Sequence, residues 1–516
     1  MLVWRALIRA QRGPAVRRLA TRDPSAPSLV RRPTARDPAA PSFRGSIGAG
    51  SVSPPALAGL PSREEQVLRL EHDGDYDVLV IGGGAVGAGA ALDAATRGLR
   101  VACVERGDFG SETSSRSTKL LWAGIRYVAT AAAGLLRKKT LESPRAAFGQ
   151  FFDECKMVLH CHRERRYMIQ TQPHLCHWVP IALPFSSYFV TPPPFGHPLF
   201  SLFPLLSPVV FKLYDAMSRF ACPPSFLMGK KASMAKFPQL SRESKGIKFV
   251  QVFYEAMHND ARTNVAIALT AAESGAAVAN YVEADDLIRG ADGRVVGATV
   301  TDRVAGRTFD VRAKATIVCG GPFTDAILEA DGPPAVSGAS GTHIVLPGYY
   351  CPRDMGLLDY NTSDGRFLFF LPWLGHTIVG TTDRACAAET LPSAPEDEIQ
   401  WLLNECGKYL SLDIRVSRSD VLSAWRGWRP LASDPHAVDG EAASRDHVVS
   451  HDAATGVTFC AGGKWTTWRE MAEHTVDRVL ERAGTTAAFG PCVTKTTPLI
   501  GSEDFESNLN IKLIQA

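Results

Sequence analysis

The chain has 516 residues, of which 45% are hydrophobic and 21% charged, with a formal charge of +3. These values exclude a fibrous or wholly disordered protein and allow two intimately packed domains around a sizeable core. Ten of the 56 basic residues but only two of the 53 acidic ones fall in the first 50 positions, so the remaining chain carries −5 and has no nucleic-acid signature.

Those 50 residues contain no Lys and no Glu. Arg5, Arg9 and Arg12 are spaced to share one helical face, with Leu2, Trp4 and Ile8 available to the other. The pattern matches an Arg-rich mitochondrial transit peptide, and the plainer alternative is a disordered basic arm. Residues 1–61 are therefore expected to be leader and Ser/Pro/Ala/Gly linker, with the fold starting near 62 at a short helix, Arg63 to Leu70.

Asp77 to Ile81 reads as a strand, Gly82-Gly83-Gly84-Ala85-Val86-Gly87 as a glycine turn into an Ala-rich helix, and Val101 to Glu105 as a second strand. Together they make a complete dinucleotide-binding βαβ unit. Gly82 allows the tight turn, Gly84 a close approach to a pyrophosphate and Gly87 helix–strand packing, while Glu105 is placed for ribose hydroxyls. The next run contains Arg106, Thr113, Ser114, Ser115, Ser117, Thr118 and Lys119. Hydroxyls and free amides of this kind can wrap a phosphate and a flavin ring, as a permanently held FAD requires; a solvated surface loop is the alternative.

From Tyr167 to Phe211 there is no Asp, Glu, Lys or Arg, but there are nine prolines, which argue against a spanning helix. Leu199 to Leu213 is expected to lie in a membrane interface through Phe200, Phe203, Leu205, Leu206 and Phe211, or else to be a Pro-rich core segment. Ala256 to Tyr281 reads as a helix followed by a strand, and Val295 to Val300 with Thr308 to Val311 as a hairpin. Lys314 to Phe323 reads as a strand entering a turn at Gly320 and Gly321, where backbone can again approach the cofactor. Thr342 to Val345, Arg366 to Leu371 and His376 to Thr381 alternate as antiparallel strands. The eleven cysteines are scattered without a C-x-x-C pair and read as reduced thiols; Cys155, His160, Cys161 and His162 do not have zinc spacing, so no metal is expected.

Ten motifs in order carry a resemblance. They are Gly82 to Gly87, Thr113 to Leu120, Gly124-Ile-Arg126-Tyr127, His258-Asn-Asp-Ala-Arg262, Met355 to Asp359, Thr362 to Arg366, Phe369 to Trp373, Gly380-Thr-Thr-Asp383, Arg429-Pro-Leu431 and Gly462-Gly463-Lys464-Trp-Thr466-Thr467. The chain from about Arg63 onward resembles the FAD-dependent glycerol-3-phosphate dehydrogenases, particularly the mitochondrial form. The resemblance implies an α/β fold: a Rossmann-like FAD-binding domain of the glycine-oxidase type with an inserted antiparallel-sheet substrate domain. FAD-binding segments are expected at 62–160, 247–336 and 437–500, and substrate or membrane-contact segments at 161–246 and 337–436. Residues 501–516 resemble the start of the family's helical cap, whose remainder, with any calcium-binding EF-hands, is missing from the sequence.

The implied reaction oxidises sn-glycerol 3-phosphate to dihydroxyacetone phosphate, with electrons passing from FAD to ubiquinone. The implied place is the mitochondrial inner membrane, on its intermembrane-space face, with a homodimer allowed. Hydride transfer from C2 needs a group to handle the hydroxyl proton, and the phosphate needs cations. By position in the motifs, Arg126, Arg429 and Lys464 are the expected clamp, with Arg445 a secondary anion contact and Tyr127 a hydrogen-bond donor or packing residue. The ordinary alternative for each cation is a surface charge or a core salt bridge. His343 is the expected proton handler, or else a structural or flavin-contacting histidine. Gly462, Gly463, Lys464 and Thr466 are expected beside the flavin.

The pattern breaks at Trp122-Ala123, where the family has His-Gly, at Trp468 for Tyr, and at Cys319-Gly-Gly-Pro-Phe for Asn-Ala-x-Gly-Pro. A flavin oxidase of an amino or hydroxy acid, and a flavin protein without turnover, remain as alternative functions.

Overall fold

Two sheets built from interleaved chain segments carry the fold. The computed structural model describes residues 59–516 apart from 136–143, 191–196, 241–245, 329–333, 361, 412, 433–446, 485–487, 504, 507 and 516. In the first sheet, β1 (Tyr76–Ile81) is central, and β2 (Val101–Glu105), β7 (Ala277–Asn280), β10 (Arg307–Val318) and β18 (Thr458–Gly462) run parallel with it in the order β18-β10-β1-β2-β7. The antiparallel β17 (His447–His451) closes one edge, and β8 (Val282–Arg289) and β9 (Val295–Asp302) form an arm leading into β10. Val78, Leu79, Val80 and Ile81 are all buried, as a central parallel strand covered on both faces requires. The helix Ala85–Thr96 buries Ala88, Ala90, Ala91 and Ala94, small side chains that let it pack closely between Asp260–Glu273 and Trp468–Ala483.

The second sheet has ten strands. These are β3 (Leu120–Leu121), β4 (Cys176–Phe185), β5 (Phe226–Gly229), β6 (Phe249–His258), β11 (Val336–Pro347), β12 (Gly356–Asp359), β13 (Leu368–Trp373), β14 (His376–Gly380), β15 (Arg384–Ala385) and β16 (Ser423–Ala432). All pairs are antiparallel except β12 with β4. One face packs against the helices Pro144–Thr171 and Phe203–Met217, and the other against Glu396–Tyr409.

The expected hairpin and the three antiparallel strands are present as β9–β10, β11, β13 and β14. The expected segment bounds shift at two points. Leu120–Leu121, placed in the FAD-binding segment 62–160, pairs with β6; and β6 itself, placed in 247–336, pairs with β4 in the second sheet. The helix read from Ala256 begins only at Asp260, capped by Asn259, whose Oδ1 accepts the Arg262 amide at 3.2 Å. An apolar strand end and the helix after it share a composition, and only pairing across the sheet separates them.

Pro198–Leu202 is a 3-10 turn and Phe203–Met217 a helix with Pro208 inside it. The segment Pro198–Met217 is long and apolar enough to cross a membrane by length and composition. Leu199, Leu205, Leu206, Val209 and Leu213 are exposed. Phe211, expected on the interfacial face, is instead buried against Phe253 with ring centroids 4.6 Å apart. Residues Leu57–Ala516 form one compact unit.

Candidate active site

A cleft of about 1230 Å³, counted to its open mouth, lies at the carboxyl ends of β1, β2, β10 and β18. This is where parallel α/β sheets bind ligands. Gly82, Gly84, Ala85, Val86, Glu105, Arg106, Thr113, Ser114, Gly320, Gly321, Gly462, Gly463 and Lys464 line it. Gly82 has φ +105°, and a Cβ there would lie 2.5 Å from the Cys319 carbonyl oxygen; a Cβ on Gly87 would lie 1.8 Å from the Gly82 carbonyl oxygen. The turn therefore closes only with glycine at both positions. The Ala85 amide at the helix N-terminus donates to Ser114 Oγ at 3.0 Å, tying the hydroxyl-rich loop to the glycine turn.

Glu105 accepts the Gly83 amide at 2.7 Å and the Gly107 amide at 2.8 Å. Burial pushes its carboxyl up, and those two amides pull it down. Arg106 lies over Phe323 at 4.1 Å. Thr113 Oγ1 is buried on this lining without a hydrogen-bond partner, and Arg106 Nη2 and Glu112 Oε2 have only long ion pairs, to Glu112 Oε1 at 3.9 Å and from Arg116 Nε at 3.7 Å. Buried polar atoms that lack hydrogen bonds, around a glycine cradle and a helix N-terminus, fit the ribose and pyrophosphate of an FAD. Its phosphates would be held by the 82–87 turn, its adenosine end by Glu105 and Arg106, and its ring end by Gly462 to Lys464.

Not every expected cofactor residue lines the cleft. Ser117 donates through its amide and hydroxyl to Asp260 Oδ2 at 2.9 and 2.7 Å, and Lys119 Nζ donates to Asp260 Oδ1 at 2.5 Å and to the Ser115 carbonyl at 2.7 Å. Thr118 Oγ1 pairs with His343 Nε2 at 2.8 Å. With Ser115 Oγ donating to the Glu112 carbonyl at 3.3 Å, the side chains of Ser115, Ser117, Thr118 and Lys119 brace the loop beside the cleft. Thr466 donates to the Trp122 carbonyl at 3.1 Å, and Trp465 Nε1 to the Ser114 carbonyl at 2.9 Å, locking the 462–467 turn to both neighbouring loops. Asp260 anchors the loop; it lies in the His258–Arg262 motif, but neither the motif nor the adjacent Asn259 helix cap signals which side chains it holds.

The residues expected on the substrate side form two groups. Lys464 Nζ lies 4.0 Å from the Tyr127 ring centroid, and Arg126 stacks over Phe367 at 5.1 Å. On β11 and β16, His343 and Arg429 share a sheet face, because His343 pairs with Trp425 and Arg429 stands four residues further along β16. Arg429 Nη1 donates to Asp383 Oδ1 at 2.7 Å. His343 stacks on Trp425 at 5.0 Å, and its Nδ1 is buried without a partner. Burial, then the charges of Arg429 and Lys119, push its pKa down to about 3, so it is neutral at pH 7. The register row His343–Gly380–Phe369 bridges the groups, with Trp122 edge-on to Phe369 at 5.1 Å. Trp122 fills an aromatic niche with Phe253 and Phe369. Arg445 lies outside the described residues. All eleven cysteines are free, and no group that could hold a metal occurs among the described residues.

Comparison with known proteins agrees with this geometry. A family described as FAD dependent oxidoreductase matches residues 77–469. A mitochondrial glycerol-3-phosphate dehydrogenase of Mesocricetus auratus is 43% identical over 476 residues, 90% of this chain and 61% of that protein; the Homo sapiens protein is 42% identical with the same coverage. The chain thus spans about three fifths of the length of these relatives. A mitochondrial glycerol-3-phosphate dehydrogenase of Arabidopsis thaliana is 40% identical, covering 89% of this chain and 69% of that one. Among solved structures, glycerol-3-phosphate dehydrogenase from Bacillus halodurans, complexed with FAD, aligns with a TM-score of 0.65 and 25% identity over 88% of this chain and 73% of that chain. Glycine oxidase from Bacillus cereus, 17% identical with a TM-score of 0.51 over 84% of this chain and all of that one, shares the fold. The glycine cradle, the cleft at the strand ends and these relatives together establish that the chain belongs to the FAD-dependent oxidoreductases, in the branch of the glycerol-3-phosphate dehydrogenases.

Proposed function

We propose that the protein oxidises sn-glycerol 3-phosphate to dihydroxyacetone phosphate, with ubiquinone as the final acceptor, at the mitochondrial inner membrane. The observation that carries the reading is Lys464, a cation with no carboxylate partner among the described residues, at the end of the nucleotide cleft. When bound, FAD supplies the acceptor for the hydride leaving C2. Lys464 and Arg126 bind the anionic end of the substrate, and Arg429, braced by Asp383, presents its fork to the reacting hydroxyl or the phosphate. His343 enters the reaction neutral. An anion bound beside Arg429 offsets one of the charges that depress the His343 pKa and so raises its basicity toward the C2 hydroxyl proton. Trp122 and Phe369 form an apolar wall that keeps water from this region.

Leu205, Leu206, Val209 and Leu213, all exposed on one helix, support contact with the lipid in which a quinone dissolves. The test is anaerobic absorbance of the flavin-loaded protein titrated with sn-glycerol 3-phosphate. Bleaching that a quinone analogue reverses is expected; bound flavin that stays oxidised would sink the substrate assignment and favour an oxidase of another substrate or a protein without turnover.

A further inference from the structure

We propose that Met157 and Cys161 are positioning residues that hold Lys464, a cation with no carboxylate partner among the described residues, and thereby set the affinity of the site for the anionic end of its substrate. The inference rests on the reading of a phosphate ester as that substrate. Lys464 Nζ lies 3.2 Å from Met157 Sδ and 3.7 Å from Cys161 Sγ, and faces the Tyr127 ring at 4.0 Å. Met157 and Cys161 are four residues apart on the helix Pro144–Thr171, hence on one face, and both are buried. Thioether and thiol are weak acceptors, and an aromatic face attracts an ammonium without neutralising it.

The neighbouring cations are held differently. Arg165 meets Glu255, Arg163 meets Glu470, Arg469 Nε lies 2.6 Å from Glu164, and Lys119 lies 2.5 Å from Asp260. Three of those four pairs draw one partner from the same helix that carries Met157 and Cys161. That helix supplies the charge in those three pairs, and sulfur beneath Lys464. A partly buried ammonium with soft neighbours keeps its charge for a ligand, at a cost in the free protein that ligand binding offsets. A carboxylate at position 157 or 161 would instead compete with the substrate for Lys464.

The test is steady-state kinetics of the flavin-loaded protein with sn-glycerol 3-phosphate and a quinone analogue. Met157→Glu is expected to raise KM about tenfold or more with kcat changed by less than about threefold and the flavin spectrum unaltered. Cys161→Asp should act in the same direction, and Met157→Leu, which removes only the sulfur contact, should raise KM about two- to fourfold. Leu159→Glu adds the same charge on the exposed side of the same helix and should leave KM at the wild-type value. Inhibition by inorganic phosphate should weaken in parallel with the rise in KM. Equal KM values for Met157→Glu and Leu159→Glu, or a fall in kcat at constant KM, would overturn the inference. If Met157→Glu does not retain flavin, Met157→Gln decides: a KM between those of the Leu variant and about tenfold is expected, and a wild-type KM overturns it. Wild-type flavin that sn-glycerol 3-phosphate cannot bleach overturns the substrate reading, and the inference with it; wild-type bleaching with no KM shift in the variants overturns the inference alone.

Discussion

The parallel sheet and the antiparallel sheet solve different problems. The parallel sheet holds its cleft with backbone: glycine contacts, a helix N-terminus and amides on Glu105. The antiparallel sheet brings its part of the candidate site together from side chains on separate strands, His343 and Arg429 from β11 and β16, and buries ionisable groups to do so. Backbone sites tolerate little change at few positions, whereas side-chain sites depend on a wider supporting network.

The sharpest way to break the contrast is at the backbone. Gly87→Val should abolish flavin retention, because even a Cβ meets the Gly82 carbonyl oxygen at 1.8 Å; the flavin-to-protein absorbance ratio of the purified variant checks this. Next, Asp260→Ala should cost about 3–5 kcal/mol in a urea titration, since it strands Lys119 and two donors of Ser117 at the seam between the sheets. Lys464→Met should leave stability nearly unchanged but raise KM for sn-glycerol 3-phosphate, at a cost of about 2–5 kcal/mol in binding. A KM within threefold of wild type would count against the clamp.

A smaller effect separates the sheets by pH. Burial pushes His162 down to about 2, and His258 and His343 down to about 3. All three folded values lie below the unfolded value near 6.5, so the unfolded chain binds protons that the folded one does not. Their contribution is fully present above about pH 6.5 and is lost as pH falls toward 3, by up to about 1.4 kcal/mol per pH unit for each histidine. His258 ends β6 and His343 lies in β11, so amide exchange at pH 5 should open those strands before β1. Uniform opening would refute the distinction. The smallest effect on stability should come from Leu213→Ser, within about 0.5 kcal/mol. It should nonetheless reduce co-sedimentation with anionic lipid vesicles, because Leu213 is 63% exposed on the apolar helix face.

The βαβ unit, the nucleotide cleft and the hairpin into β10 were legible in the sequence because their signals are local: a glycine turn has meaning within six residues, and a buried parallel strand is a continuous apolar run. The antiparallel strands were visible by alternation, but the sheet to which Leu120–Leu121 and Phe249–His258 belong was not, since strand partners lie far away in the chain. The candidate site residues rest on likeness of motifs, which does not carry their packing partners. That Lys464 rests on sulfur while Lys119 rests on Asp260, and that Phe211 turns inward while Leu213 turns out, was decided by tertiary structure. Residue type and spacing set what a side chain can do, but its charge state and exposure depend on neighbours brought from distant segments.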